Sequence, residues 1–203
     1  MERSIQKWQS DFTGGPSQGD PDGVAAQSQL QGHLMGEQHY QPLSAAGIWA
    51  SDPYTWRSVA TTGGLIFYDQ RNQTAAKRRQ TAAAIAETKR LRALVLAGDF
   101  FVLTNLDRYG YSNSSAASTS WAAWQWANAT KESGVAVFFR RASAPAALTV
   151  ALNYIDASAT YELRHYGGYD LDKTERSSGV ELAKLEVSVA TNASLLLEYS
   201  RVD

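Results

Sequence analysis

The sequence predicts an α+β chain: an α/β segment to about residue 97, followed by an antiparallel β-sandwich over 98–203. Three observations predict it. A run rich in Ala, Lys and Arg over about 74–97 has helical composition and stops at Gly98. After Gly98, short runs of strand composition are separated by Gly, Pro, Asn and Ser clusters, with no helical stretch between them. Upstream of the helix, Leu65-Ile66-Phe67-Tyr68 has the form of a short buried strand of a parallel sheet.

The elements follow in chain order. The first forty residues are rich in Gly, Gln, Ser and Asp, with turn signals at Gly14-Gly15-Pro16 and Asp20-Pro21-Asp22-Gly23. They lack periodicity and read as loops and short elements leaning on something larger. From Pro42 to Asp69, short apolar runs (45–50 and 65–68) alternate with turns. Asn72 or Thr74 caps the long helix, and Ile85, Thr88, Leu91, Leu94 and Val95 give it an apolar stripe at helical spacing. Its basic run Lys77-Arg78-Arg79 has no aromatic or basic cluster beside it, so it reads as a solvated face. Strands are expected at 100–104, 121–126, 135–140, 148–153, 160–165, 185–190 and 195–199. Val135/Val137/Phe139, Leu148/Val150/Leu152 and Leu185/Val187/Val189 alternate with period two, the mark of strands buried on one face.

Composition excludes several functions. The chain has 203 residues, enough for one domain or two small ones, and 44% are hydrophobic. With 19 Lys+Arg against 20 Asp+Glu it has no basic field to hold nucleic acid. The absence of cysteine excludes disulfide scaffolds, thiolate metal sites and cysteine nucleophiles. Apolar runs fall far short of the roughly 20 residues that span a bilayer, so no membrane partner is expected. MERSIQKWQSD at the start has no apolar core of a signal peptide. His33, His39 and His165 are too scattered to suggest a metal site, and no phosphate-loop, dinucleotide, zinc-protease or nucleophile-elbow motif is present.

The informative string is Trp8-Gln9-Ser10-Asp11-Phe12 with Gly14-Gly15 after it. Further on come Ser51-Asp52-Pro53-Tyr54-Thr55-Trp56-Arg57-Ser58, then Leu65-Ile66-Phe67-Tyr68-Asp69, then Ile85-Ala86-Glu87-Thr88-Lys89-Arg90-Leu91-Arg92. Trp121-Ala122-Ala123-Trp124-Gln125-Trp126, Val137-Phe138-Phe139-Arg140-Arg141 and Ser178-Gly179-Val180-Glu181-Leu182 complete the series. In this order the strings resemble the later part of glycoside hydrolase family 36 α-galactosidases. The resemblance implies a partial (β/α)8 barrel remnant over 1–97, ending in a helix at about 74–97, and an antiparallel β-sandwich over 98–203.

The resemblance also implies a chemistry. In that family a terminal α-galactoside is hydrolysed with retention: one carboxylate attacks the anomeric carbon, and the other protonates the leaving oxygen and then activates water. The match at Trp8-x-Ser10-Asp11 makes Asp11 the acid/base and implies substrate contacts from Trp8, Ser10 and Trp49. Read from the pentapeptide alone, Asp11 is favoured as the cap of a turn before Gly14-Gly15, and the ordered matches downstream reverse that preference. No cofactor or metal is implied, and the partners expected are an α-galactoside or other carbohydrate and the upstream part of the barrel. The family's nucleophile lies in a Lys-Trp-Asp strand motif before the acid/base, whereas here Gln9 follows Lys7-Trp8. A whole barrel takes about 250 residues. The expectation is therefore a fragment, a truncated gene model or a degenerate paralogue, inactive alone, with residues 1–97 loosely held.

Two further expectations remain. An alternative to the enzyme reading is a non-catalytic carbohydrate-binding or structural β-module, in which Trp124 and Trp126, sharing one strand face near Trp121, either stack on sugars or pack in the core. Sequons at Asn72, Asn113, Asn128 and Asn192 suggest a secreted parent.

Overall fold

A computed structural model of the chain describes residues 30–32, 34–36, 46–60, 64–66, 68–104 and 120–203. Residues 30–32 and 34–36 are helical. Strand β1 (Ala46–Ile48), helix α1 (Pro53–Ala60) and strand β2 (Gly64–Ile66) form a βαβ unit, with β1 and β2 parallel and Ile48 opposite Ile66. Asp52 starts α1, its Oδ1 accepting the Thr55 N–H at 2.9 Å.

Helix α2 (Ala75–Ala97) begins at Thr74, whose hydroxyl accepts the Lys77 N–H, so Thr74 and not Asn72 is the cap. It ends at Gly98, with φ −93°. Glycine is needed there because of crowding, since a Cβ would lie 2.9 Å from the Leu94 carbonyl oxygen and 3.2 Å from the Ala127 backbone. The buried side of α2 is Thr81, Ala84, Glu87 and Leu91. Ile85, Thr88, Leu94 and Val95 are only half-buried, so the stripe is rotated from the apolar pattern. A buried Glu87 causes the offset, which hydrophobicity alone does not register. No described helix is long and apolar enough to cross a membrane.

The rest is strand: β3 (Asp99–Val102), β4 (Trp121–Asn128), β5 (Ser133–Arg140), β6 (Ala147–Val150), β7 (Thr160–Tyr166), β8 (Lys173–Ser178), β9 (Leu185–Ser188) and β10 (Ala193–Arg201), with a short α3 (Gly179–Leu182) before β9. Six strands form one open antiparallel sheet in the order β3-β4-β5-β10-β7-β8, and β6 pairs with β9 as a second layer. Helix α3 carries a reciprocal cap: the Ser178 hydroxyl accepts from Glu181 N–H, and the Glu181 carboxylate accepts from Ser178 N–H.

The main sheet is covered on both faces. Trp121, Ala123, Ala136, Phe138, Leu197 and Tyr199 pack towards Val150, Leu182 and Val187 in the sandwich interior. On the other face Trp124, Trp126, Val135, Val137, Phe139 and Leu196 pack against Tyr54 of α1 and Leu91 of α2. The one-sided reading of Val135/Val137/Phe139 is thereby corrected: Gly134 to Phe139 are all buried, because α1 and α2 lie where solvent was expected. β6 and β9 do keep one wet face, as their alternation predicts. Strand β8 was not expected, since Lys173-Thr174-Glu175-Arg176-Ser177-Ser178 has no apolar alternation; it is an exposed sheet edge, where charge discourages pairing with other chains.

Trp124 and Trp126 are 1% and 2% exposed. They are core residues, and the sugar-stacking alternative for them is withdrawn, because α2 covers their face of β4. Each large side chain buried this way contributes about 1.5–3 kcal/mol relative to exposure. α1 and α2 thus share a core with the sandwich.

Candidate functional site

Parallel strands joined by a right-handed crossover place ligand-binding loops at their C-terminal ends. At that end β1 leads into Trp49, which is 42% exposed, and β2 finishes at Ile66, 38% exposed. Trp49, a residue expected to contact substrate, is thus exposed directly after the C-terminal end of β1. Asp11, Trp8 and Ser10 lie outside the described residues, and nothing is stated of their position.

The loop after Trp49 is held from three sides. The Ser51 hydroxyl donates to Gln80 Oε1 of α2 at 3.1 Å. The Tyr169 hydroxyl, from the β7–β8 hairpin, donates to the Ser51 carbonyl at 2.8 Å. Asp52 is fixed by its cap on α1. Burial, with Glu87 adding to it, pushes the Tyr169 hydroxyl far above the usual tyrosine range, so it stays a donor at any working pH.

One turn into α1, Arg57 has no exposed side-chain surface and pairs with Glu87 of α2 through two parallel contacts, Nε to Oε1 at 2.9 Å and Nη2 to Oε2 at 2.7 Å. Its remaining N–H groups donate to the carbonyls of Tyr166 at 2.9 Å and Gly167 at 3.2 Å, to that of Gly168, and to the Ser194 hydroxyl at 3.3 Å. The Tyr169 ring lies 5.6 Å from the guanidinium. Around this centre, Trp56 donates to Thr88, Gln31 donates to Ser58, and Arg141 donates to Gln31. The hairpin of the sandwich is thus bolted to both α1 and α2 by one buried cation. The sequence reading did not identify this pair. Its signal was a charge of each sign on otherwise buried positions: Arg57 between Trp56 and Ser58, and Glu87 midway between Ala84 and Leu91.

Among the described residues, no cluster of three or more His, Asp or Glu side chains is arranged to hold a metal ion. His165 pairs with Glu175 at 2.8 Å across β7 and β8 and is a sheet residue. Of the sequon asparagines, Asn72 and Asn192 are exposed, Asn128 is half-buried, and Asn113 lies outside the described residues.

The described fold is a parallel βαβ unit and a long helix packed across an antiparallel sandwich. Solved α-galactosidases of glycoside hydrolase family 36 share it. AgaA from Geobacillus stearothermophilus is 18% identical, with a TM-score of 0.67, over 93% of this chain and 28% of that one. AgaB from the same organism is 18% identical with a TM-score of 0.63, over 89% of this chain and 25% of that one. The Lactobacillus brevis α-galactosidase is 15% identical with a TM-score of 0.66, over 90% and 26%. The chain thus spans about a quarter of the length of these proteins. AgaA variants have been solved in complex with raffinose and with 1-deoxygalactonojirimycin. No family model matches the sequence, and no curated protein matches it. The resemblance read from the ordered motifs is therefore upheld as a likeness of fold.

Proposed function

We propose that the chain is the last part of a retaining α-galactosidase-like glycoside hydrolase, with residues 1–97 belonging to the catalytic barrel and 98–203 to its C-terminal sandwich. In this reading a terminal α-galactoside sits at the C-terminal ends of β1 and β2, against Trp49 and the Trp8 and Ser10 side chains. Asp11 protonates the leaving oxygen and later takes a proton from the attacking water. An acid in that role needs a raised pKa, and the apolar rings of Trp8 and Phe12 next to it in sequence are suited to supply the desolvation. The observation that carries the reading is the match in fold to α-galactosidases over about nine-tenths of this chain, with Trp49 exposed at the strand ends.

The 203 residues contain no Lys-Trp-Asp motif for the nucleophile. By themselves they are expected to release no p-nitrophenol from p-nitrophenyl α-galactoside. Co-expression with a polypeptide carrying the earlier barrel strands of a family 36 enzyme is expected to restore release, and Asp11→Asn to lower it by about 10²–10⁴-fold. Release by the 203 residues alone would overturn the need for a second polypeptide. Release from the mixture that Asp11→Asn leaves unchanged would overturn the role of Asp11.

A further inference from the structure

Three non-glycine residues among those described have positive φ: Glu132 at 45°, Asn192 at 56° and Tyr154 at 55°. Two of them are accounted for by their surroundings. Asn192 lies in the β9–β10 turn and is a residue type that tolerates this conformation. Glu132 lies in the β4–β5 turn, where its carbonyl accepts the Arg201 N–H at 3.1 Å and its carboxylate holds the Arg201 guanidinium at 2.8 Å.

Tyr154 differs. It is a bulky residue in the connection between β6 and β7, and no burial offsets its conformation, because it is 44% exposed. The backbone before it is pinned by Gln125, a buried residue of β4. Gln125 Oε1 accepts from the Asn153 N–H at 2.9 Å and from its Nδ2 at 3.1 Å, and Gln125 Nε2 donates to the Asn153 carbonyl at 3.0 Å. The ring is then fixed in place on the surface. Its hydroxyl donates to Asp99 Oδ2 at 2.8 Å, and Phe101 meets it edge-on at 5.1 Å and 89°. An outlier maintained by a buried amide, and presenting a locked ring to solvent, is the kind of feature from which a functional role is inferred.

We propose that Tyr154, with Asp99 and Phe101, is a non-catalytic binding platform for a neutral pyranoside. The apolar C–H face of a sugar ring stacks on an aromatic ring, and its hydroxyls need acceptors at the rim. Asp99 is exposed, and its Oδ1 takes no hydrogen bond from the described residues, so it meets that need beside the ring. The same carboxylate repels anionic ligands. A single ring does not enclose a cation on several sides, as an aromatic cage does. The platform belongs to edge strand β3 and the β6–β7 connection and shares no residue with the Trp49 loop, so it stands independently of the catalytic reading.

The test is a titration of the full chain with methyl α-galactopyranoside, followed by amide chemical shifts. Shifts are expected to centre on residues 99–101 and 153–155. Tyr154→Asn suits the left-handed backbone and is expected to weaken binding by about three- to tenfold, while Tyr154→Trp retains it. Circular dichroism melting of each variant reports the fold, and Asp99→Ala, which keeps the aromatic ring but removes the rim acceptor and the bond that orients the Tyr154 hydroxyl, is expected to give a second loss of binding. No shifts at these residues would overturn the proposal, as would shifts that survive both Tyr154→Asn and Asp99→Ala. Shifts induced there by tetramethylammonium and not by the galactoside would overturn it in favour of a cation site.

Discussion

Removing the carboxylate of Glu87 tests the buried centre of the molecule. In the intact chain both Glu87 oxygens are engaged by Arg57, at 2.9 and 2.7 Å, and the two side chains are 4% and 0% exposed. Glu87→Ala leaves a guanidinium in the core without its counter-charge and orphans the N–H groups facing α2. Breaking a buried pair from one side costs about 3–5 kcal/mol. Here the Tyr166, Gly167 and Gly168 carbonyls and Ser194 still receive the other N–H groups, so the lower part of that range applies, about 3–4 kcal/mol. For a chain of this size each kcal/mol lowers the melting temperature by about 2–4 °C, which gives a fall of about 6–16 °C. Glu87→Gln keeps an acceptor and should fall between the wild type and Glu87→Ala. The assay is thermal melting followed by circular dichroism and by tryptophan fluorescence, since Trp56 hydrogen-bonds to Thr88, the next residue along α2. A fall of less than about 2 °C for Glu87→Ala would refute the claim that this pair joins the helices to the sandwich.

Other predictions concern the sheet, its pH response and the helical segment. Gly134→Ala would drive a Cβ to 2.2 Å from the Tyr199 hydroxyl and 2.6 Å from the Trp126 carbonyl, and is expected to cost about 1–3 kcal/mol in urea unfolding; an unchanged midpoint refutes it. Burial and then the Lys173 charge hold the His165 pKa below its ordinary 6.5, so the unfolded chain binds the extra proton first and stability falls as pH drops below about 6.5. Glu175 is lowered by its hydrogen bond from Lys173, so its contribution is lost in the same direction at lower pH, below its ordinary 4.5. His165→Gln should flatten the first of these steps in melts taken across pH 5–8, and an unchanged slope would refute the assignment. In limited trypsin digestion, cleavage at Lys89, Arg90 and Arg92 should be no faster than within the sandwich. Early loss of α2 with the sandwich intact would refute the shared core.

Local patterns were legible wherever one residue type decides the outcome. Thr74, the Ala-rich run and Gly98 bounded α2 to within a residue of its observed ends, because capping and chain-end signals act over a single turn. The alternation in β6 and β9 gave their wet and dry faces correctly. Patterns that depend on a partner were not legible. The apparent one-sidedness of β5 came from reading Val135, Val137 and Phe139 without Ala136 and Phe138, whose small or apolar side chains fill the opposite core. Strand β8 was invisible because an exposed edge selects for charge rather than for alternation.

The sequence alone determined the helix, most of the strands, the ordered strings that resemble those of α-galactosidases, and the absence of cysteine from the 203 residues. Those are properties of composition and of spacing along one segment. The tertiary structure decided that Trp124 and Trp126 are core, that Trp49 stands at the strand ends, that Tyr154 is presented to solvent, and that Arg57 and Glu87 meet. Each of those outcomes depends on which face of one element lies against another. Arg57 is 30 residues from Glu87 and 109 from the Tyr166 carbonyl, and only the packing of α1, α2 and the β7–β8 hairpin brings the three together.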